Sequence, residues 1–157
     1  MSKLKSIALA IEVATRRRDQ FCKDLVDIQR TVVFSKNQME QLESYARDST
    51  SRWMAAAQVS ALPEMMQHHY QFMDRLDHAI KMQQGVLEEL EQQVDRARKI
   101  VLQAEFRLAG LKRLMQNRLK EINFRAARLE QREMDDLAAL MYRTRSFTPH
   151  LGEKHEC

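Results

Sequence analysis

Apolar residues recur at alternating intervals of three and four along the first part of the chain. Two series with a seven-residue spacing begin at Leu4 and Ile7, and 13 of their 16 positions up to Ala56 are apolar. A sustained heptad repeat of this kind predicts a long helix that packs in a left-handed coiled coil. We call this stripe the seam. Its positions in the first helix are Leu4, Ile7, Ile11, Ala14, Arg18, Phe21, Leu25, Ile28, Val32, Ser35, Met39, Leu42, Ala46, Ser49, Trp53 and Ala56.

The repeat is interrupted before Pro63 and then resumes at Met66. Proline favours the first turn of a helix, where its missing N–H leaves no hydrogen bond unmade. We therefore predict a first helix over about 3–58, a turn over about 59–63 and a second helix over about 64–143. The polar remainder, 144–157, is predicted to be a disordered tail. The seam positions of the second helix are Met66, His69, Met73, Leu76, Ile80, Gln83, Leu87, Leu90, Val94, Ala97, Val101, Ala104, Leu108, Leu111 and Met115.

Beyond Met115 the same register falls on Arg118, Arg125 and Arg132. A register shifted by four residues keeps the stripe apolar, and a shift of this kind locally unwinds a supercoil. If the chain folds back near residues 58–62, residue i of the first helix faces roughly residue 121 minus i of the second. We call this relation the facing rule. The first helix then ends where the second changes register, and we predict that residues 119–143 project alone. The shifted stripe consists of Leu119, Ile122, Ala126 and Leu129.

Composition agrees with an all-helical fold. Ala, Glu, Lys, Leu and Arg occupy 72 of the 157 positions, whereas there are only 3 Gly and 2 Pro. Such a composition is typical of long helices and coiled coils, and it leaves too few turn residues for a sandwich, a barrel or a doubly wound sheet. The predicted fold class is all-α. We expect a single domain, 1–143, that forms a long antiparallel two-helix coiled coil (an α-hairpin) whose second helix is longer and overhangs.

Targeting segments and disulfides are not expected. The apolar run over 7–14 is short, is broken by Glu12 and continues into the helical repeat, so we do not interpret it as a signal peptide. No window approaches 18 consecutive apolar residues, so no direct membrane insertion is predicted. The two cysteines, Cys22 and Cys157, are too few for a disulfide framework and indicate a reducing cytoplasm.

The sequence carries no familiar catalytic or metal-binding pattern. The sequence has no Gly-rich phosphate loop, GxSxG or HExxH, so we predict no enzymatic activity and no cofactor. His68 and His69 are adjacent and therefore point about 100° apart on a helix, and His69 is interpreted as a polar residue on the seam. His150, His155 and Cys157 could ligate a soft metal, but a disordered tail supplies no geometry. No metal site is predicted.

Charge is segregated along the second helix. Residues 107–132 hold eight Lys or Arg and two acidic residues, a net charge of +6. A basic helix end suits an acidic protein surface or nucleic acid, and it is also compatible with an ordinary solvated face. Only Phe106 and Phe124 are available there for base stacking. Nucleic acid is therefore an alternative partner and not the expected one, and such binding would weaken steeply with salt.

A second candidate surface combines residues of both helices. Phe72 and Ala79 flank the seam positions Leu76 and Gln83, so we expect Phe72 and Ala79 to face outward. The facing rule places Tyr45 opposite this stripe. Exposed Phe and Tyr on facing helices predict a small amphipathic groove of the kind that forms interface hot spots, although a two-helix hairpin exposes some apolar surface in any case. Gln38 and Leu42 lie beside Tyr45 on the first helix and belong to the same surface. We call the whole surface the aromatic patch, and its members are Gln38, Leu42, Tyr45, Phe72, Leu76, Ala79 and Gln83.

The same region resembles a known family. The residues on which the resemblance rests are Tyr70-Gln71-Phe72, Leu76, Ala79-Ile80, Gln83, Val94, Ala97, Arg107-Leu108 and Glu130-Gln131-Arg132-Glu133-Met134-Asp135-Asp136-Leu137-Ala138. In order, spacing and total length they resemble the flagellar type III export protein FliJ over about residues 4–142. The resemblance implies a non-catalytic, long antiparallel coiled coil similar to the stalk subunit of rotary ATPases.

Partners are also implied by this resemblance. Members of the family bind the ring of the flagellar export ATPase and promote its assembly, link it to the cytoplasmic domain of the export gate FlhA, and recycle empty export chaperones. The implied gate-binding residues are those of the aromatic patch. Our own hypothesis from the charge pattern is that Arg118, Arg125 and Arg132 contact the ATPase ring. The expected location is cytoplasmic, at the inner face of the cell membrane at the flagellar base. The equivalent stalk of a virulence type III secretion system is the alternative.

Overall fold

A computed structural model of the chain describes residues 2–59 and 62–146. Two helices account for almost all of them: α1 spans Ser2–Ala57 and α2 spans Pro63–Ser146. The two helices pack against each other as a helical hairpin, and no strand occurs among the described residues. The predicted all-α hairpin with a longer second helix is confirmed.

The helix ends carry suitable residues. Pro63 begins α2 and Glu64 lies in its first turn, where a negative charge interacts favourably with the helix dipole. Arg143 and Arg145 lie in the last turn, where positive charge is favourable. No described helix contains a segment that is both long and apolar enough to cross a bilayer.

The chain divides into two compact units. The central unit comprises the described residues between 10 and 109, and the terminal unit comprises residues 2–9 together with 110–146. In the central unit α1 and α2 run antiparallel: the Trp53 ring stacks on His69, and the side chain of Gln83 donates a hydrogen bond to the carbonyl oxygen of Ser35. These contacts lie within a few positions of those expected from the facing rule.

The seam forms the core of the central unit. Of its predicted positions in this unit, Ala56 alone is exposed, and the others are half-buried or buried. Burial is deepest at Ala14, Ser35, Met39, Leu76, Val94 and Leu108. A core only one side chain thick explains why so few residues are completely covered, since each helix has a single partner and its outer face remains in water.

The terminal unit shows where pairing stops. Leu4 and Ile7 of α1 are half-buried, as are Leu111, Met115 and Arg118 of α2, whereas every residue from 119 to 146 is exposed. Arg118, on the unshifted register, is half-buried, and exposure begins at Leu119. No described residue of α1 covers the shifted stripe, which agrees with the expectation that residues from 119 onward project alone and leaves the register of that stripe a prediction.

The C-terminal end of α2 also differs from expectation. The helix continues to Ser146, so the first three residues of the expected tail are helical. The hydroxyl of Thr144 donates to the carbonyl oxygens of Leu140 and Met141 at 3.1 and 2.9 Å. The rest of the tail, with His150, His155 and Cys157, lies outside the described residues.

Candidate functional site

The aromatic patch is assembled from both helices in the central unit. The Tyr45 ring of α1 and the Phe72 ring of α2 meet edge to face, with centroids 5.9 Å apart and an interplanar angle of 78°. An edge-to-face contact holds both rings in defined orientations. Tyr45 nevertheless remains 53% exposed and Phe72 40% exposed. The pair therefore presents aromatic surface to solvent at fixed positions on the hairpin.

Other members of the patch are less exposed than these two rings. Leu76 is only 8% exposed, and Leu42 is half-buried. The expectation that Ala79 faces outward is wrong, because it is half-buried. Leu76, Leu42 and Ala79 therefore offer little surface to a partner.

The polar end of the patch is formed by two glutamines. The side-chain nitrogen of Gln83 donates to the Ser35 carbonyl oxygen at 3.1 Å and to the side-chain oxygen of Gln38 at 3.4 Å. Ser35 is 5% exposed, so the first of these bonds is made in the core. Gln38 is exposed, and its amide remains accessible beside the groove. Gln83 is thus mainly a cross-helix contact, and a single polar contact on a coiled-coil seam favours one register over its neighbours.

One contact between the helices of the central unit was not predicted from the sequence. The Trp53 and His69 rings stack almost parallel, with an interplanar angle of 9° and centroids 4.4 Å apart, and Tyr70 lies 6.2 Å from His69. Both stacked residues were placed on the seam and the facing rule sets Trp53 opposite residue 68, so the contact could have been anticipated. The stack explains why a histidine is tolerated on the seam, since its ring covers the indole.

The basic residues lie in the terminal unit and differ among themselves. Arg118 is half-buried, whereas Arg125 and Arg132 are exposed and form no ion pair with other described residues. A seven-residue spacing places Arg125 and Arg132 within about 20° of each other around the helix. Between them, the Arg128 guanidinium lies 5.7 Å from the centroid of the exposed Phe124 ring. This part of α2 combines positive charge with one accessible aromatic ring.

Metal-ligating clusters are not seen in the part of the chain that the structure describes: residues 2–59 and 62–146 contain no group of three His, Cys, Asp or Glu that could hold an ion. Cys22 is a half-buried free thiol. The described depressions are open grooves along the hairpin, such as one bordered by Phe21, Ile28, Ala97 and Ile100. Open grooves of this kind suit contact with another protein surface better than enclosure of a substrate.

A two-helix hairpin whose core is a heptad seam belongs to the class of coiled-coil proteins. The family model described as flagellar FliJ protein matches residues 4–146, which is most of the chain. The chain therefore belongs to the FliJ family and is a component of the flagellar export apparatus. Comparisons with curated proteins and with solved structures give no match.

Proposed function

We propose that the chain acts as a non-catalytic, stalk-like adaptor of the flagellar type III export apparatus. In this role it binds the export ATPase and promotes assembly of its ring, links the ring to the cytoplasmic domain of FlhA, and helps to recycle export chaperones. Membership of the FliJ family supports the general assignment. The observation that carries the finer one is the accessible edge-to-face pair of Tyr45 and Phe72.

The aromatic pair is the proposed contact for the export gate. Aromatic side chains often dominate interface energies because they bury a large area with few rotatable bonds. Tyr45 and Phe72 already restrain each other, so little ordering cost remains when a partner covers them. Gln38 lies at the polar edge of the same surface and can donate or accept a hydrogen bond there.

Binding measurements with the cytoplasmic domain of FlhA test this contact. The Tyr45→Ala, Phe72→Ala double variant is expected to raise the dissociation constant at least tenfold, about 1.4 kcal/mol. Leu102→Ala is the matched control, because Leu102 is an exposed apolar residue of α2 in the same unit but outside the patch. Unchanged affinity of a folded double variant would refute the assignment.

The basic residues of the terminal unit are the proposed contact for the ATPase ring. Arg125 and Arg132 are exposed and offer two positive charges on one side of the helix. Such charges increase the association rate with an acidic surface and weaken in effect as salt is added. Arg118 is half-buried, so only part of its side chain is available for this contact.

Steady-state ATP turnover by the purified export ATPase, with and without the chain, tests the ring contact. We expect stimulation by the natural chain and its loss with Arg125→Glu, Arg132→Glu. The matched control is Arg98→Glu, Lys99→Glu, which reverses two exposed positive charges on α2 within the central unit. Full stimulation by the Arg125 and Arg132 variant would remove these residues from the ring contact. The absence of stimulation by the natural chain would reject the stalk role.

A further inference from the structure

The part of α2 beyond its pairing with α1 has no cover among the described residues. We call residues 119–146 the C-terminal arm. It is helical throughout, and all of its side chains are exposed, including Leu129 at 59%. Single helices are only marginally stable in water, and most helical stability in proteins comes from packing of an apolar face. An arm of this kind would be stabilised by a partner helix.

One face of the arm carries a stripe of apolar residues, whereas Phe124 and Tyr142 lie on the opposite side of the helix. From Met115 onward the spacing follows a repeat of three, four and four, which is an eleven-residue pattern. At 100° per residue all of these positions fall within about 100° around the helix. The stripe begins at Met115 and Arg118, just before the arm, and continues through Ile122, Ala126, Leu129, Glu133, Leu137 and Leu140, with Leu119 at its edge.

Charge along this face is divided at Leu129. Residues 118–128 carry four positive charges and one negative charge, a net of +3, whereas residues 130–140 carry four negative charges and one positive charge, a net of −3. Two parallel copies of the arm would place like charges together. Two antiparallel copies centred near Leu129 would place each basic half beside the acidic half of the other copy.

We propose that a second copy of this chain covers the arm, forming an antiparallel dimer whose two-fold axis passes close to Leu129. In this arrangement Ile122 of one copy faces approximately Leu137 of the other, and Leu119 faces approximately Leu140. The arm is self-complementary in its charge pattern and in the positions of its apolar residues, as an isologous two-fold interface requires. A different protein would need to reproduce both patterns, whereas a second copy provides them.

The acidic residues of the arm are available for this pairing. Glu130, Glu133 and Asp136 form no ion pair with other described residues, whereas Asp135 accepts a hydrogen bond from Gln131 at 3.1 Å. Glu133 lies on the apolar face, and the antiparallel register brings it near Arg125 of the second copy. The dimer would cover Arg125, so self-association would compete with the proposed binding of the ATPase ring.

The mass of the purified chain, measured by light scattering across a concentration series, tests for the dimer. We expect a mass approaching twice that of the 18.5 kDa chain at high concentration, and weaker association as salt is raised. Leu129→Asp is expected to give a monomer. Leu102→Asp is the control, since Leu102 is 66% exposed on α2 outside the arm. A monomeric natural chain at millimolar concentration, or a dimer that tolerates Leu129→Asp, would overturn the proposal.

Two further variants test the antiparallel orientation. Arg125→Glu is expected to weaken dimerisation about tenfold, because the new carboxylate meets the acidic half of the second copy twice in a symmetric dimer. Adding Glu133→Arg should restore association. Equal weakening by the single and double variants would contradict the register.

Disulfide cross-linking tests the relative orientation of the two arms independently, in a chain whose natural cysteines are removed by Cys22→Ser and Cys157→Ser. Leu129→Cys should cross-link to itself, and Leu119→Cys should cross-link to Leu140→Cys and not to itself. Self-cross-linking of Leu119→Cys would show a parallel arrangement and overturn the proposal. All of these measurements use the chain alone, so their failure would be distinguishable from failure of the proposed ATPase contact.

Discussion

Leu76 and Phe72 belong to the same aromatic patch but have different surroundings. Leu76 is 8% exposed on the seam, whereas Phe72 keeps much of its ring in solvent and touches Tyr45 by its edge. The structure therefore predicts that Leu76 contributes mainly to folding and Phe72 mainly to binding. Single alanine substitutions at the two positions should separate these contributions.

The magnitudes follow from burial. Leu76→Ala removes three carbons from the core, which is about 2.4 kcal/mol at 0.8 kcal/mol for each buried CH₂. A residual cavity adds to this, so we expect a loss of about 2–4 kcal/mol in the free energy of unfolding. Phe72→Ala loses a ring contact worth about 0.5–1.5 kcal/mol and the partial burial of the ring, and we expect a stability loss of about 1–2 kcal/mol. The order reverses for gate binding: we expect about a tenfold loss of affinity for Phe72→Ala and less than about threefold for Leu76→Ala.

Urea unfolding followed by circular dichroism at 222 nm measures the stability differences, with protein concentration held constant. Calorimetric titration of the FlhA cytoplasmic domain, well below the unfolding midpoint of each variant, measures affinity. Leu102→Ala should change neither quantity appreciably, because Leu102 is exposed outside the patch. The reasoning is refuted if Leu76→Ala is as stable as the natural chain, or if folded Leu76→Ala loses as much affinity as Phe72→Ala.

Three further outcomes are expected. Gly85→Ala and Gly110→Ala should each raise stability by about 0.5–1 kcal/mol, because a Cβ at either position meets nothing within 4 Å and glycine disfavours a helix interior; a lower urea midpoint would contradict this. Gln83→Leu should raise the free energy of unfolding by about 1 kcal/mol, because the new side chain buries apolar area and the Ser35 carbonyl oxygen keeps its hydrogen bond within the helix. A lower free energy of unfolding would show that the hydrogen bond from Gln83 to Ser35 stabilises the hairpin more than burial of the leucine does. Trp53→Ala should lower the free energy of unfolding by at least about 1 kcal/mol, because the Trp53 ring no longer stacks on His69. An unchanged midpoint of urea unfolding would contradict that estimate.

Much of the hairpin follows from local sequence. The heptad spacing determines which face of each helix is buried, and Pro63 explains where the second helix begins. Two helices of nearly uniform pattern joined by a short turn can bury their stripes only by folding back on each other. For this reason the facing rule places Tyr45 and Phe72 near each other, as the structure also does.

Other features depend on the packed arrangement. Whether Arg118 or Leu119 occupies the last covered position depends on where α1 ends opposite α2 and on the rotation of α2 about its own axis. Periodicity specifies that rotation only to within the width of an apolar stripe. The same uncertainty explains why Ala79 was expected outside and lies half-buried.

Side-chain contacts across the hairpin required the tertiary structure for a second reason. The sequence places Gln83 on the seam, but its bond to the Ser35 carbonyl oxygen depends on the distance between the helices and on a rotamer that periodicity does not specify. The edge-to-face orientation of Tyr45 and Phe72 depends on the same two quantities. Local sequence therefore determined the helices and their buried faces, whereas the tertiary structure decided which side chains meet and which remain accessible to a partner.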